Sequence, residues 1–472
     1  MLKFVKITKL FSCEEFLRYL IVLVIIVAAW VPCFAQDIYD PRDGDNGLSM
    51  EFLFGYNFLD GPGASDDFFT LSLSANLQIS DWALALEFPL MLQSSDFRTP
   101  DRAYDEASDF VNFIKYLRFG YKNETDVYFR IGMLHGESAK LGHGSIIADY
   151  YSNIDFDSPE KGFQFDWDHK SWGFETILNS LTHTNLIGTR LYVRPFYRTK
   201  GESNKNITFG VTFVSDLRAP TKIVKDDEHN PKINSDHNLV CKDEVLNFLG
   251  FDVATPLIST NLMKISPYAD FVLMLNYGYG FHLGLHQEYN VPILGDVLPI
   301  DFYLEYRSHE SEYLPVYFDS FYEIEKYSYP LTISPTTKLN FVKNTKHSTG
   351  FYGSLKWGIK DLFWVRGSFT YFNNDPLELK SSLFIEAATQ SFVEFKFMYA
   401  QRSITRFNEL LEQNEKAVIY LHTAIPVKIG GSNINFGLRF TRSWRLLEST
   451  GKFIPVDDFM PFVSYKISFS GK

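Results

Sequence analysis

Cysteine is scarce in this chain, and its scarcity excludes a good deal. The 472 residues contain three, Cys13, Cys33 and Cys241. The first two fall in a stretch laid out like a secretory signal peptide. Lys3, Lys6, Lys9 and Arg18 precede an apolar run from Ile21 to Ala29, and Cys33-Phe34-Ala35 places small residues at both cleavage positions before Gln36. Trp30 and Pro32 cut the run short of the ~20 apolar residues a spanning helix requires. The expectation is that residues 1–35 are removed on export, which leaves Cys241 with no intramolecular disulfide partner and no cysteine-based metal site. Long apolar runs are missing past Gln36, which excludes an inner-membrane helical bundle. A basic surplus is missing too. The formal charge is −12, and losing four basic and two acidic leader residues takes it to −14. A nucleic-acid partner would want a basic face.

Motifs for cofactors and metals are equally sparse. No phosphate loop or dinucleotide fingerprint stands out, so no cofactor is expected. Asp43 and Asp45, or Asn153, Asp155 and Asp157, open like calcium loops, but Phe54 and Gln164 stand where the closing bidentate Glu belongs. His282 and His286 share a strand face yet lie ~13 Å apart at that spacing, too far for one metal.

What the chain has in abundance is aromatic residues, 45 Phe and 27 Tyr, in strict alternation with polar ones. The stretch from Phe68 to Ile79 is the clearest case. Phe69, Leu71, Leu73, Ala75, Leu77 and Ile79 alternate with Thr70, Ser72, Ser74, Asn76 and Gln78. Successive side chains of a β-strand point to opposite faces, so this run has one oily face and one wettable face. Similar runs recur at lengths near the ~9–11 residues a tilted strand needs to cross a bilayer. They begin at Leu48 and end at Val463–Phe469. About 20 strands are expected, within a range of roughly 16 to 20. The connections alternate between short ones (Ser80-Asp81, His169-Lys170, Gly358–Asp361) and long charged ones (Gln93–Asn112, Leu134–Gly162, Asp216–Asn247, Ser308–Ser348, Gln401–Glu415, Trp444–Met460).

On these residues Leu48–Phe469 resembles the bacterial outer-membrane β-barrel class, which pairs short periplasmic turns with long outer loops. The resemblance implies an all-β fold, a closed antiparallel transmembrane barrel in the bacterial outer membrane. Outer-membrane lipid and the barrel assembly machinery would be its partners. Residues 36–47 would be a short periplasmic lead-in, with no room for a plug domain. Such barrels commonly end on an aromatic residue; here Ser470-Gly471-Lys472 follow Phe469. No feature separates a monomer from a trimer.

The polar phase of the strands carries charge that hydrocarbon would not tolerate, because Arg or Lys at the midplane costs about 2–4 kcal/mol. Glu51, Arg118, Arg130, Asp166, Asp168, Arg190, Arg194, Glu305, Arg307, Arg366, Glu394, Lys396 and Arg439 are therefore assigned to a watery lumen. They either brace the wall by pairing or select what passes. Barrels of about 16 or more strands leave an aqueous lumen. That favours a porin-like channel for passive diffusion of small hydrophilic solutes. The loop Leu134–Gly162 is a candidate constriction, with Glu137, Lys140, His143, Asp149 and Tyr150 facing the path. The alternative is that it packs as an ordinary outer loop.

Two other readings stand beside the channel. Long charged loops such as Asp216–Asn247 and Ser308–Ser348 suit a surface adhesin or ligand-binding barrel. His143-Gly144-Ser145 is similar to the His-x-Ser arrangement of outer-membrane lipid hydrolases, in which the imidazole takes the Ser proton and a third group, Asn153 or Asp149, orients it. Ile146 replaces the Asn of that pattern.

Overall fold

The computed structural model describes residues 47–61, 67–99, 113–122, 125–134, 139–152, 154, 160–197, 207–234, 239–293, 296–329, 336–359, 363–373, 381–390, 393–402, 404, 409, 417–429 and 432–470. The leader, the lead-in and Glu137 lie outside them. The described residues form one antiparallel sheet of 21 strands. In chain order these are β1 (Gly47–Asp60), β2 (Phe68–Ile79), β3 (Trp82–Gln93), β4 (Ile114–Phe119), β5 (Val127–Gly132), β6 (Gly162–His169), β7 (Trp172–Leu178), β8 (Leu186–Val193), β9 (Thr208–Ile223), β10 (Cys241–Ala254), β11 (Ile258–Ser259), β12 (Met263–Met274), β13 (Tyr279–Ile293), β14 (Asp296–His309), β15 (Ser348–Ile359), β16 (Phe363–Asn373), β17 (Ser381–Gln390), β18 (Glu394–Gln401), β19 (Ala417–Ile429), β20 (Ser432–Leu447) and β21 (Lys452–Ser470). The two-residue β11 edges β12, and β10 pairs directly with β12. The barrel proper therefore has 20 strands.

Closure is the decisive observation. β1 pairs with β2 on one side and with β21 on the other, with Leu48 opposite Phe469 and Phe52 opposite Tyr465. In hydrocarbon every backbone N–H and C=O must be paired, and a cylinder does this without leaving an edge. The faces sort as the alternation requires. Phe52, Phe54, Leu71, Leu73, Phe88, Phe209, Phe251, Leu283 and Phe436 are exposed on the outside, whereas Arg118, Arg190, Asp270, Glu305, Arg307 and Arg366 are buried inside. At the short-turn end Trp82, Trp167 and Trp172 are exposed and packed on neighbouring rings, Trp82 at 4.9 Å from Phe119 and Trp167 at 4.8 Å from Trp172. That is where an interfacial aromatic girdle belongs.

Two expectations about connections change. Trp444–Met460 is not a loop: β20 and β21 run on to Leu447 and back from Lys452, held by a two-pronged Arg442–Asp457 ion pair with contacts of 2.6 Å. Asp216–Asn247 likewise begins and ends as ribbon, because β9 reaches Ile223 and β10 starts at Cys241. A 19-residue strand such as β21 outruns the ~9–11 residues of a crossing, so these ribbons continue into water. Charged residues in them follow strand alternation there, which hides the boundary between wall and loop. β4 to β8 are short by contrast, six to eight residues each.

Candidate functional site: the occluded lumen

Two long connections do not stand outside the barrel. The described residues of the β5–β6 connection, Ala139–Ser152, run along inward-facing positions of the wall, and those of the β14–β15 connection join them. Ile147 bridges to Phe318 in parallel, and Val316 donates its backbone N–H to Ser145. The second connection carries two short helices, α1 (Tyr322–Glu325) and α2 (Lys338–Val342), the latter capped by the Thr337 hydroxyl accepting from Asn340 N–H. Leu141, Ile146, Ile147 and Tyr150 from the first connection pack with Tyr317, Phe318, Tyr322 and Leu339 from the second. They close on Ile177, Leu186, Val214, Phe248 and Val272 of the wall. Glycine makes the close approach possible at Gly188, where a Cβ would stand 2.6 Å from Leu141 and 2.9 Å from Ile147. Across the lumen a second apolar cluster sets Tyr151, Ile154, Phe321 and Ile324 against Phe384, Val418 and Trp444.

Polar bonds supplement these two seals. Glu175 accepts the Gly142 N–H at 2.8 Å, His143 Nδ1 meets Asp270 at 2.8 Å, Tyr150 donates to Glu323, and Arg366 holds Asp149. Burial and the Glu323 carboxylate push the Tyr150 phenol well above its ordinary range. Burial works against charge on Asp319, but Arg402 and Lys338 beside it hold its carboxyl below the usual range.

Most of the assigned lumen residues take part in a belt of mixed charge. Arg190 binds Glu175 at 2.7 Å and grips Asp252 with two bonds of 2.7 and 2.9 Å. Glu305 pairs with Arg307, meets His282 at 3.0 Å and accepts from Tyr268 at 2.7 Å. Asp166 meets Lys122 at 3.5 Å, and Glu394 meets Lys396 at 3.4 Å and His422 at 3.5 Å. Arg118 and Arg130 stand directly opposite each other on β4 and β5, one over Tyr121 at 4.1 Å and the other over Tyr116 at 5.1 Å. Arg439 neighbours His422 across β19 and β20, and Glu51 stands between Ser74 and Lys466. Asp168 and Arg194, paired at 2.6 Å, sit at the short-turn rim. Of the constriction residues, Lys140 lies 4.4 Å over the Tyr303 ring, while His143, Asp149 and Tyr150 meet the wall or α1 as above.

Glu175, Asp252, Asp270, Asp319, Glu325, Lys338 and Arg402 complete this network and were not singled out in the sequence. Asp252 and Asp270 occupy the polar phase of β10 and β12. That phase is the one feature that marks them. Their cross-strand pairing is set by register, Asp252 opposite Asp270. Two carboxylates so placed repel, and Arg190 on one side with His143 on the other answers that repulsion. Together with His143 these carboxylates bring three metal-type donors within 4.8 Å of one another. The Arg190 guanidinium already occupies Asp252, so positive charge is supplied by the chain itself.

The same geometry bears on the hydrolase reading. The group that orients His143 is Asp270, neither Asn153, which lies outside the described residues, nor Asp149, which is bound to Arg366. The imidazole stacks on Tyr268 at 4.1 Å. Among the described residues no hydrogen bond joins Ser145 to His143, so the nucleophile–base contact such chemistry requires is not formed.

Between the two seals the plug faces β14 to β17 across mixed side chains, Phe372, Leu383 and Phe384 standing beside charged and hydroxyl groups. A cavity of about 110 Å³ remains there, lined by Asp149, Arg307, Asp319, Tyr352, Ser368, Thr370, Ser382 and Arg402 among others.

A closed 20-strand cylinder with a greasy exterior, a charged interior and a plug made from its own loops is a transmembrane β-barrel. No family model and no curated protein matches the chain. Solved structures similar to it include OccK5 (OpdH) of Pseudomonas aeruginosa, at 11% identity and TM-score 0.32, covering 90% of this chain and 98% of that one. OpdK of the same organism, solved with vanillate, is 10% identical at TM-score 0.32 over 90% and 99%. Wzi of Escherichia coli, a carbohydrate-binding barrel involved in group 1 capsule assembly, is 12% identical at TM-score 0.34 over 97% and 89%. Likeness at this level says nothing of substrate, and the class statement rests on the barrel's own closure and faces.

Proposed function

We propose that this protein is a narrow outer-membrane channel that passes small hydrophilic solutes through the gap between its infolded loops and the β14–β17 wall. The observation that carries the reading is the asymmetry of the plug. It is sealed by apolar side chains toward β7–β12 and again toward β17–β20, and in between charged and hydroxyl side chains interrupt the apolar lining. Water and solute follow polar walls, because desolvating a polar group without a new partner costs about 2–7 kcal/mol. The mixed charge belt then sets selectivity by pairing and spacing, not by net sign. The infolding of Ser308–Ser348 also bears on the adhesin reading. Tyr313, Tyr317, Phe318 and Tyr322 of that loop are buried and offer no outer surface to a host ligand.

The test is conductance in planar bilayers. Purified, folded protein should give discrete steps smaller than those of an open-lumen barrel, and Thr370→Trp should reduce them by filling the gap. A silent but folded barrel contradicts the channel. Steps indifferent to Thr370→Trp contradict the path.

A further inference from the structure

The residues around the gap specify more than its width. Its formal charges are paired with one another within the wall and plug. Arg307 is held by Glu305, Arg402 by Asp319 and by Glu325 at 3.4 Å, and Asp149 by Arg366, while Lys338 meets Glu325 at 3.1 Å and Asp319 at 3.8 Å. Glu386 also lies 4.0 Å from Arg366, so five acids face four bases and every base is engaged. A charged solute entering here would shed its hydration and find each counter-charge already engaged. A neutral one meets no such barrier.

The remaining groups are hydroxyls. Ser368 is 8% exposed, lines the cavity and has no hydrogen-bond partner among the described residues. Thr370, two residues along the same inward face, and Ser382 on β17 line the same space and are likewise without a partner among the described residues. Ser368 is buried and Thr370 and Ser382 half-buried, and all three line the cavity, so their hydrogen-bonding capacity is left to a ligand or water there. Paired carboxylates and guanidiniums keep acceptor and donor sites at the fork spacing that suits adjacent hydroxyls of a sugar. A cavity of about 110 Å³ holds several waters, the scale of one monosaccharide and not of a chain.

We infer that the gap binds neutral polyhydroxylated solutes of monosaccharide size, in preference to their charged counterparts, through the Ser368, Thr370 and Ser382 hydroxyls set among ion pairs whose charges are already engaged. This deepens the channel reading and rests on it.

The test compares block of the open channel by glucose and myo-inositol with block by gluconate and glucosamine, which match them in size but carry a charge. The neutral pair should block at concentrations about fivefold or more below the charged pair, and Ser368→Val should raise the half-blocking glucose concentration about fivefold, the worth of one neutral hydrogen bond. Thr370→Val is the second variant should Ser368→Val fold poorly. A conducting channel that glucose does not block, or that gluconate or glucosamine blocks as well, overturns this inference and leaves the channel reading intact. A folded barrel that never conducts removes the channel reading; equilibrium dialysis of detergent-solubilised protein against radiolabelled glucose then decides the binding site alone. Saturable binding weakened by Ser368→Val upholds the site, and no binding overturns it.

Discussion

Replacing Leu141 and Ile147 with Ala should unseat the first infolded loop without opening the barrel. Both side chains are buried, at 4% and 0% exposure, and both press on the bare backbone of Gly188. Truncating a buried Leu or Ile to Ala costs about 2–5 kcal/mol. The two residues share a cavity, so their costs will not simply add. Taking about 4 kcal/mol for the pair, the ratio of seated to unseated loop falls about a thousandfold, at 1.4 kcal/mol per tenfold. The wall strands keep their ladder, because the lost contacts lie between loop and wall and not within the sheet. The expected outcome is larger and noisier single-channel conductance, rapid trypsin cleavage at Lys140, and unchanged heat-modifiable migration on gels. Conductance and cleavage indistinguishable from the parent would refute the claim that apolar packing seats the loop.

Other outcomes follow from the same contacts. Arg190→Ala removes the cation that Glu175 and Asp252 share, so the unfolding free energy in lipid vesicles should drop by about 3–5 kcal/mol. The triple change Glu175→Gln, Arg190→Met, Asp252→Asn should recover most of that loss. Asp270→Asn removes a charge-assisted bond from His143 and should weaken loop seating by about 1.5–3 kcal/mol, read as faster trypsin cleavage at Lys140. Burial, with Lys115 and Arg130 nearby, lowers the Lys161 ammonium to about 8. Between that value and its ordinary 10.5 the unfolded chain holds a proton the folded chain has released, so this residue makes stability rise with pH across that window. Lys161→Met should flatten the rise, measured as the urea midpoint from pH 7 to 10.

The wall was legible in the sequence because its rule is local. A period of two over Phe68–Ile79 already states which side chains meet lipid, and the polar phase already names Arg190, Glu305 and Arg366 as interior. The plug was less legible because no local rule governs it. His143 finds Asp270 across 127 residues and Arg366 finds Asp149 across 217, and neither partner can be read from spacing. Ser308–Ser348 reads as an outer loop because it is long and charged and its apolar residues follow no strand alternation. Its Tyr and Phe residues are nonetheless those that fill the lumen, while Asp319, Glu325 and Lys338 neutralise one another inside. Trp444–Met460 reads as a loop for its charges, although Trp444, Leu446 and Phe453 of the same ribbon are buried in the second apolar cluster.

Thiol accessibility along β2 tests the cylinder itself. In a Cys241→Ser background, single cysteines at positions 71 to 77 are challenged in vesicles with a membrane-impermeant maleimide and with a lipid-soluble quencher reporting on an attached fluorophore. Cysteines replacing Ser72, Ser74 and Asn76 should react with the aqueous reagent and escape the quencher, and those replacing Leu71, Leu73 and Leu77 should do the reverse. Two sets that behave alike, or in the opposite sense, would contradict a barrel that is greasy outside and wet within.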